Sequence, residues 1–239
     1  MTLAIIFGAF LVAALWELCR PRRDPEFPAW RRRLSNLGIW LLNIVAGALI
    51  FISPDSLRRG WEVTPLIFVT GFVALDALSY WLHRAQHALP WLWRLHALHH
   101  SDPDVDWTTS VRHHPVEFLT ASAVFWFAVL VLRIPAAIVV AHGTAVFVLA
   151  VATHVNARWP QWLEWILRPV VITLDLHLVH HSVVPAEANA NFGAILSVWD
   201  RLFGTFRPVG HVDVFGVREL SRPEACRLIT MLLTPWRIQ

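Results

Sequence analysis

Apolar residues in this chain gather in long runs. Five stand out: about Leu3 to Cys19, Leu37 to Ile52, Pro65 to Leu82, Val116 to Leu132, and Ile134 to Thr153. A helix of a soluble bundle keeps one polar face, and Val116 to Leu132 and Ile134 to Val151 keep almost none. A helix needs ~20 apolar residues to cross the hydrocarbon of a bilayer. Several runs fall short of that, so tilted, shallow or re-entrant segments are expected among them. The pattern predicts an all-α fold: an integral membrane bundle of about four to five spanning or re-entrant helices, with a histidine-rich helical cap.

The cap is predicted from where the histidines fall. His96-x-x-His99-His100 and His177-x-x-His180-His181 share one spacing, and His83-x-x-x-His87 closes the third run. Positions i, i+3 and i+4 lie on one face of a helix, so each motif aims its imidazoles in one direction. Eight neutral nitrogen ligands suffice for more than one metal ion.

Composition supports the membrane reading. The chain is 56% hydrophobic and 15% charged, with a mean hydropathy of +0.51, whereas soluble domains carry more charge. Its basic residues are all arginine. Six of them, Arg20, Arg22, Arg23, Arg31, Arg32 and Arg33, crowd the segment between the first two runs, against Arg58 and Arg59 in the next loop. This reads as a positive-inside anchor in the cytoplasm. It is not the footprint of a nucleic-acid binder, which needs basic residues on a solvent-exposed fold. Trp16, Glu17 and Leu18 stand where a signal peptide would carry small residues for cleavage, so the first run is expected to be retained.

Counting spans from that anchor puts the N-terminus outside and the loop from Ser53 to Thr64 outside. The third run returns to the cytoplasm with His83 and His87. The fourth and fifth runs, separated by Arg133, Ile134 and Pro135, form a tight hairpin or a re-entrant pair that returns at His154. All three histidine motifs and the C-terminus then share the cytoplasmic face. No domain boundary interrupts residues 1–239. Cys19 and Cys226 match no metal or redox spacing.

Imidazole suits zinc, copper, iron and nickel alike. Eight histidines exceed the three or four ligands of a zinc site. Arg84 follows His83 where a zincin has its glutamate base. A transporter would place ligands at mid-membrane, where only His142 lies, and a lone deep histidine is expected to be packed and hydrogen-bonded. A pair of irons at the membrane surface, able to reduce O2 and attack an unactivated C–H bond, fits the count and the location. Two other readings stay open: a membrane metal-dependent hydrolase, and a metal-binding membrane protein without catalytic activity.

The motifs together resemble the fatty acid hydroxylase superfamily, also called the sterol desaturase family. The similar stretches are Asp76 to His87, Leu95 to Ser101, Arg112-His113-His114-Pro115-Val116-Glu117, His154-Val155-Asn156, Leu176 to Ser182, Asn191-Phe192-Gly193, and Trp199 to Thr205. They run in family order from about residue 70 to 206, which marks the catalytic region. The resemblance implies a membrane oxygenase or desaturase that uses two iron ions and O2 on a fatty acyl, sterol or related lipid. It implies His83, His87, His96, His99, His100, His177, His180 and His181 as metal ligands, and His154 as a ninth. Relatives carry one more histidine a turn before His154, where this chain has Ala150. His114, Asn156 or a water is the candidate replacement. No electron-donor domain is fused to the chain, so a separate donor protein is expected, in a setting such as a bacterial inner membrane.

Asp76, Tyr80 and Asn156 are the candidate catalytic residues. Asp76, Tyr80, His83 and His87 form one helical stripe, and an acidic residue inside a span is costly and usually functional. Asp76 is expected to hold an imidazole or Arg84. Arg112 and Glu117 are expected to pair and brace their loop, with His113 facing solvent. The tryptophans near residues 91–93 and 159–165 read as an interfacial belt. Trp199 to Thr205 is either a cover over the site or a packing element.

Overall fold

The computed structural model describes residues 3–48, 61–208, 210, 212, 214–220 and 226–238. The end of the second apolar run and most of the following loop, with Arg58 and Arg59, lie outside these residues. The chain folds as helices α1 (Leu3–Cys19), α2 (Ala29–Gly47), α3 (Pro65–Ala88) and α4 (Pro90–His100). A 3-10 turn at Trp107–Val111 leads to α5 (Pro115–Leu132), α6 (Ala136–His154), α7 (Gln161–Leu167) and α8 (Leu174–His180), followed by short helical turns. Among the described residues there are no strands, only isolated bridges such as Val171 with Leu196.

Among the described residues three helices, α3, α5 and α6, are long and apolar enough to cross a membrane. Helix α1 is apolar but shorter, at 17 residues. The structure is thus a membrane helical bundle with a histidine-rich region at one end.

Local chemistry sets the helix ends. Proline stands at the start of α3, α4 and α5, where its fixed φ suits the first turn and its missing N–H costs nothing. Leu89, preceding Pro90, is extended (φ −99°, ψ 118°), so α3 stops there and α4 turns away. At the far end of α5, Arg133 adopts the left-handed conformation (φ 55°, ψ 41°) and Pro135 is the N-cap of α6, so the chain reverses tightly between the two helices. Gly71 lets α3 and α6 close up; a Cβ there would meet Ile138 at 3.1 Å.

Helix α2 begins earlier than its apolar run and takes in Arg31 to Arg33. Arg32, 2% exposed, pairs with Asp102 at 3.2 Å and Asp106 at 2.5 Å. Arg33 pairs with Asp106 and with Glu17 of α1, and Arg22 pairs with Asp175. Asn36 donates to Asp102 and to Thr108. Three of the six arginines read as an anchor thus also have carboxylate partners inside the protein. Arg32 and Arg33 tie α2 to α1 and to the segment after the second histidine motif, and Arg22 ties the α1–α2 connection to α8. Removing one partner of such a buried pair strands the other charge.

Candidate metal centre

The hairpin of α5 and α6, together with α3, brings three helix ends to one level. His83 and His87 close α3, Pro115 opens α5, and His154 closes α6. Helices α4 and α8 lie across this end and present the two triplets. The result is two convergent sets of imidazole nitrogens. One holds His83, His87, His96, His100 and His180; the other holds His99, His154, His177 and His181. Within each set the ligand atoms lie within 4.8 Å of one another. In the first set, His83 and His180 approach through Nε2 at 3.0 Å, and His87 and His100 at 3.1 Å. In the second, His154 Nε2 stands 3.1–3.2 Å from those of His99, His177 and His181. The sets adjoin: the rings of His100 and His181 stack at 4.6 Å.

Acceptors behind the rings decide which nitrogen points inward. His83 Nδ1 donates to Phe192 O (2.9 Å), His180 Nδ1 to Ala190 O (2.7 Å) and His154 Nδ1 to Ala150 O (2.7 Å). His96 Nδ1 donates to Glu117 Oε1 at 2.7 Å, and His87 Nδ1 to Asn189 Oδ1 at 3.3 Å. With the proton held on Nδ1, Nε2 keeps its lone pair and aims it at the centre of the set. This is how proteins orient metal-bound histidine. The donor sets therefore fit metal ions.

Burial, reinforced by neighbouring imidazoles, holds His99, His100, His177, His180 and His181 well below the ordinary histidine value of 6.5. They are neutral at pH 7, the form that binds metal. The folded, metal-free protein resists protonation here, whereas the unfolded chain takes up protons below about pH 6.5. Stability contributed by these groups is thus complete above that pH and is lost as pH falls toward the depressed folded values. Thermal unfolding of chelator-treated protein is expected to shift steadily downward from pH 7 to pH 5. A transition temperature flat over that range would contradict this burial.

Several sequence expectations need correction. His114 does not join either set. It caps α5, its Nδ1 accepting from Val116 N–H at 3.2 Å, and its Nε2 lies 3.2 Å from Leu232 O. Its neighbour His113, expected to face solvent, stacks on His99 at 4.5 Å and approaches Glu117 at 3.1 Å. Glu117 does not turn to Arg112. It receives His96, His113 and Gln86 on Oε1 and the His114 backbone N–H on Oε2. Arg112 reaches Leu98 O, Asn36 and Ser101.

The three candidate catalytic residues also stand apart from the two sets. Asn156 fastens the α1–α2 connection: its backbone N–H donates to Glu17, and its side chain bonds the Arg23 backbone both ways. Tyr80 is buried, hydrogen-bonds Thr205 Oγ1 at 2.9 Å, receives Arg84 at 3.2 Å and stacks on Phe203. Asp76 holds neither a metal-set imidazole nor Arg84. It accepts the backbone N–H groups of Ile195 and Leu196 at 3.1 Å and the Trp199 indole at 2.8 Å.

Asp76 thereby anchors the loop that carries Phe192 O to His83. Asp200 completes that loop, accepting Phe192 N–H, Gly193 N–H and Thr205 Oγ1. Asn191 sits in the left-handed region (φ 56°). A Cβ on Gly193 would meet Leu196 O at 2.5 Å. The Asn-Phe-Gly and Trp199–Thr205 motifs are thus a brace behind the site.

Of the cavities that border the histidines, two meet one another at His83 and Gln86. One of about 220 Å³ touches both sets and is bordered by His83, His99, His154, His177 and Ala150. The other, about 610 Å³, lies between α3, α5 and α6 and shares His83, Gln86 and Val146 with the first. Its size is that of a small-molecule site.

Fold and site together define a membrane-embedded helical protein with paired histidine clusters at one end of its bundle. Residues 68–205 match the fatty acid hydroxylase family, and the chain belongs to it. Alkylglycerol monooxygenase of Xenopus tropicalis is 27% identical over 210 residues, which cover 79% of this chain and 45% of that protein. Ornithine lipid hydroxylase OlsE of Rhizobium tropici is 33% identical over 153 residues, 64% of this chain and 44% of that one. Lathosterol oxidase of Mus musculus is 24% identical over 175 residues, 73% and 56% of the two chains. This chain thus spans about half the length of the curated relatives it matches. No solved structure matches it.

Proposed function

We propose that the chain is a two-iron, O2-dependent oxidoreductase that hydroxylates or desaturates a membrane lipid. The observation that carries this reading is the division of nine imidazoles into adjoining sets of five and four, with several Nδ1 protons tied to fixed acceptors. His83, His87, His96, His100 and His180 would hold one iron, and His99, His154, His177 and His181 the other. Bound there, two irons supply the redox chemistry that sets O2 against an unactivated C–H bond.

The protein's own contribution is position and dryness. The Phe192, Ala190 and Ala150 carbonyls and Glu117 fix the rings. The apolar cavity leads a lipid chain from the bilayer to His83 and Gln86, with the reacting carbon in the smaller cavity between the sets. The named relatives act on lipids as different as alkylglycerols, ornithine lipids and a sterol, which supports a lipid substrate without specifying one. The site faces the cytoplasm of a bacterial inner membrane, and electrons come from a separate donor protein.

The test is to supply membranes containing the protein with reductant and 18O2, then compare their lipids by mass spectrometry with those from a His99→Ala, His180→Ala double variant. A lipid carrying one added 18O, or lacking two hydrogens, is expected only with the unmodified chain. A lipid cleaved with zinc and without O2 would establish a hydrolase instead.

A further inference from the structure

Helix α2 reverses the pattern of a helix in a soluble protein. Its buried side carries Arg32, Asn36, Ile39 and Asn43, spaced i, i+4, i+7 and i+11. Another side carries Trp30, Leu34, Leu41 and Val45, each 60–61% exposed. A soluble helix turns its apolar stripe to the core and its polar face to water. Here the polar side finds its partners inside the bundle, and the apolar stripe is left for lipid to cover.

The first turn of that stripe opens into a cavity of about 450 Å³, lined by Phe27, Trp30, Arg31, Leu34, Ser35 and Arg227, among others. One residue before buried Arg32, Arg31 is rotated roughly 100° about the helix axis. It is exposed, with its guanidinium over the Trp30 ring at 5.1 Å. Arg227, also exposed, reaches the cavity from the opposite wall. It stands at the start of the helical turn Leu228–Leu232, which packs on Ile39 of α2 through Met231 and Leu228. Neither guanidinium meets a carboxylate among the described residues, and no acidic side chain lines the cavity.

The cavity lies at the histidine end of the bundle, because Arg32 pairs there with Asp102, two residues past His100. Nearby, Ile229 and Trp236 are 74% and 78% exposed. Exposed tryptophan and arginine beside aliphatic side chains suit the level where hydrocarbon gives way to head groups.

We infer that this cavity is a binding site for an anionic phospholipid, with its phosphate at Arg31 and Arg227 and an acyl chain along Leu34, Leu41 and Val45. Charge decides the class. Two guanidiniums attract a phosphate, and an anionic head group adds no opposing charge. A zwitterionic head group brings an ammonium that finds no carboxylate in the lining. The apolar stripe makes the occupant a lipid and not a free phosphate. The site is separate from the cavities at His83 and does not depend on the reaction.

The experiment uses the purified full chain in detergent. Phosphatidylglycerol and phosphatidylcholine with identical acyl chains are titrated, and bound lipid is counted by native mass spectrometry. Phosphatidylglycerol is expected to bind about ten- to thirty-fold tighter, in line with two basic residues at a membrane surface. An Arg31→Gln, Arg227→Gln double variant should lose that preference while its melting temperature and metal content stay unchanged. An Arg94→Gln, Arg158→Gln variant removes the same charge from exposed positions outside the cavity and should keep it. Ser35→Trp fills the cavity, leaves both arginines, and should weaken phosphatidylglycerol binding. Glycerol phosphate, with the charge but no chains, should not displace the lipid at equal concentration.

Equal binding of the two lipids overturns the inference. So does a preference that survives Arg31→Gln, Arg227→Gln, or one lost equally in both double variants, which would make it an effect of overall charge. Binding indifferent to Ser35→Trp places the lipid elsewhere, and displacement by glycerol phosphate at equal concentration makes the site one for a soluble phosphate; either result overturns the assignment.

Discussion

His154→Ala is expected to remove one of two metal ions and to lower turnover by more than the ~10–100-fold typical of losing a supporting residue around a metal. His154 Nε2 is the hub of the four-histidine set, 3.1–3.2 Å from three other ligand nitrogens, and a set of three is left without it. The five-histidine set shares no residue with it and should keep its ion. His114→Ala is the control, since His114 caps α5 and touches neither set. Losing that cap is expected to cost about 0.5–2 kcal/mol of stability while both ions remain. Metal analysis and O2 uptake on the two variants check the pair. Equal losses in both would contradict the assignment.

Glu117→Gln is expected to lower activity, or metal affinity at the five-histidine set, by ~10–100-fold. The carboxylate receives His96 Nδ1 at 2.7 Å, and its charge raises the basicity of the imidazole whose other nitrogen joins the set. Glutamine at the third position of α5 can still complete the capping box with the His114 backbone, so the fold should survive. The substitution therefore isolates the charge. The spectrum of metal bound at the five-histidine set should shift while that of the four-histidine set stays. Full turnover with an unchanged spectrum would make Glu117 a cap alone.

What could be read from the sequence was periodic or long. The apolar runs became α1, α3, α5 and α6 nearly as drawn, because a bilayer-length helix leaves a continuous hydrophobic signal. Each triplet sends its i and i+4 rings to one set and its i+3 ring to the other, so the local spacing gathered the imidazoles at one end of the bundle but did not show how they divide. The partners of those imidazoles were not legible. Glu117 meets His96 across 21 residues and Asp76 meets the loop at Ile195 across 119, and such pairings leave no local pattern.

The choice between His113 and His114 was partly legible. Proline at the first helical position makes the preceding residue the N-cap, and glutamate two residues after Pro115 completes a capping box. That commits the His114 ring to the backbone and leaves His113 to reach the site. The ion pairs of Arg32 and Arg33 with Asp102, Asp106 and Glu17 were not legible, because charge density along the chain does not show which partners fold against it.

Iron stoichiometry tests the central claim most directly. Protein purified without metal and loaded anaerobically with 57Fe(II) should bind two irons per chain, seen by Mössbauer spectroscopy as two environments in equal amounts. One iron per chain in a single environment, or a single zinc untouched by the His99→Ala, His180→Ala double variant, would contradict a site built from five and four histidines.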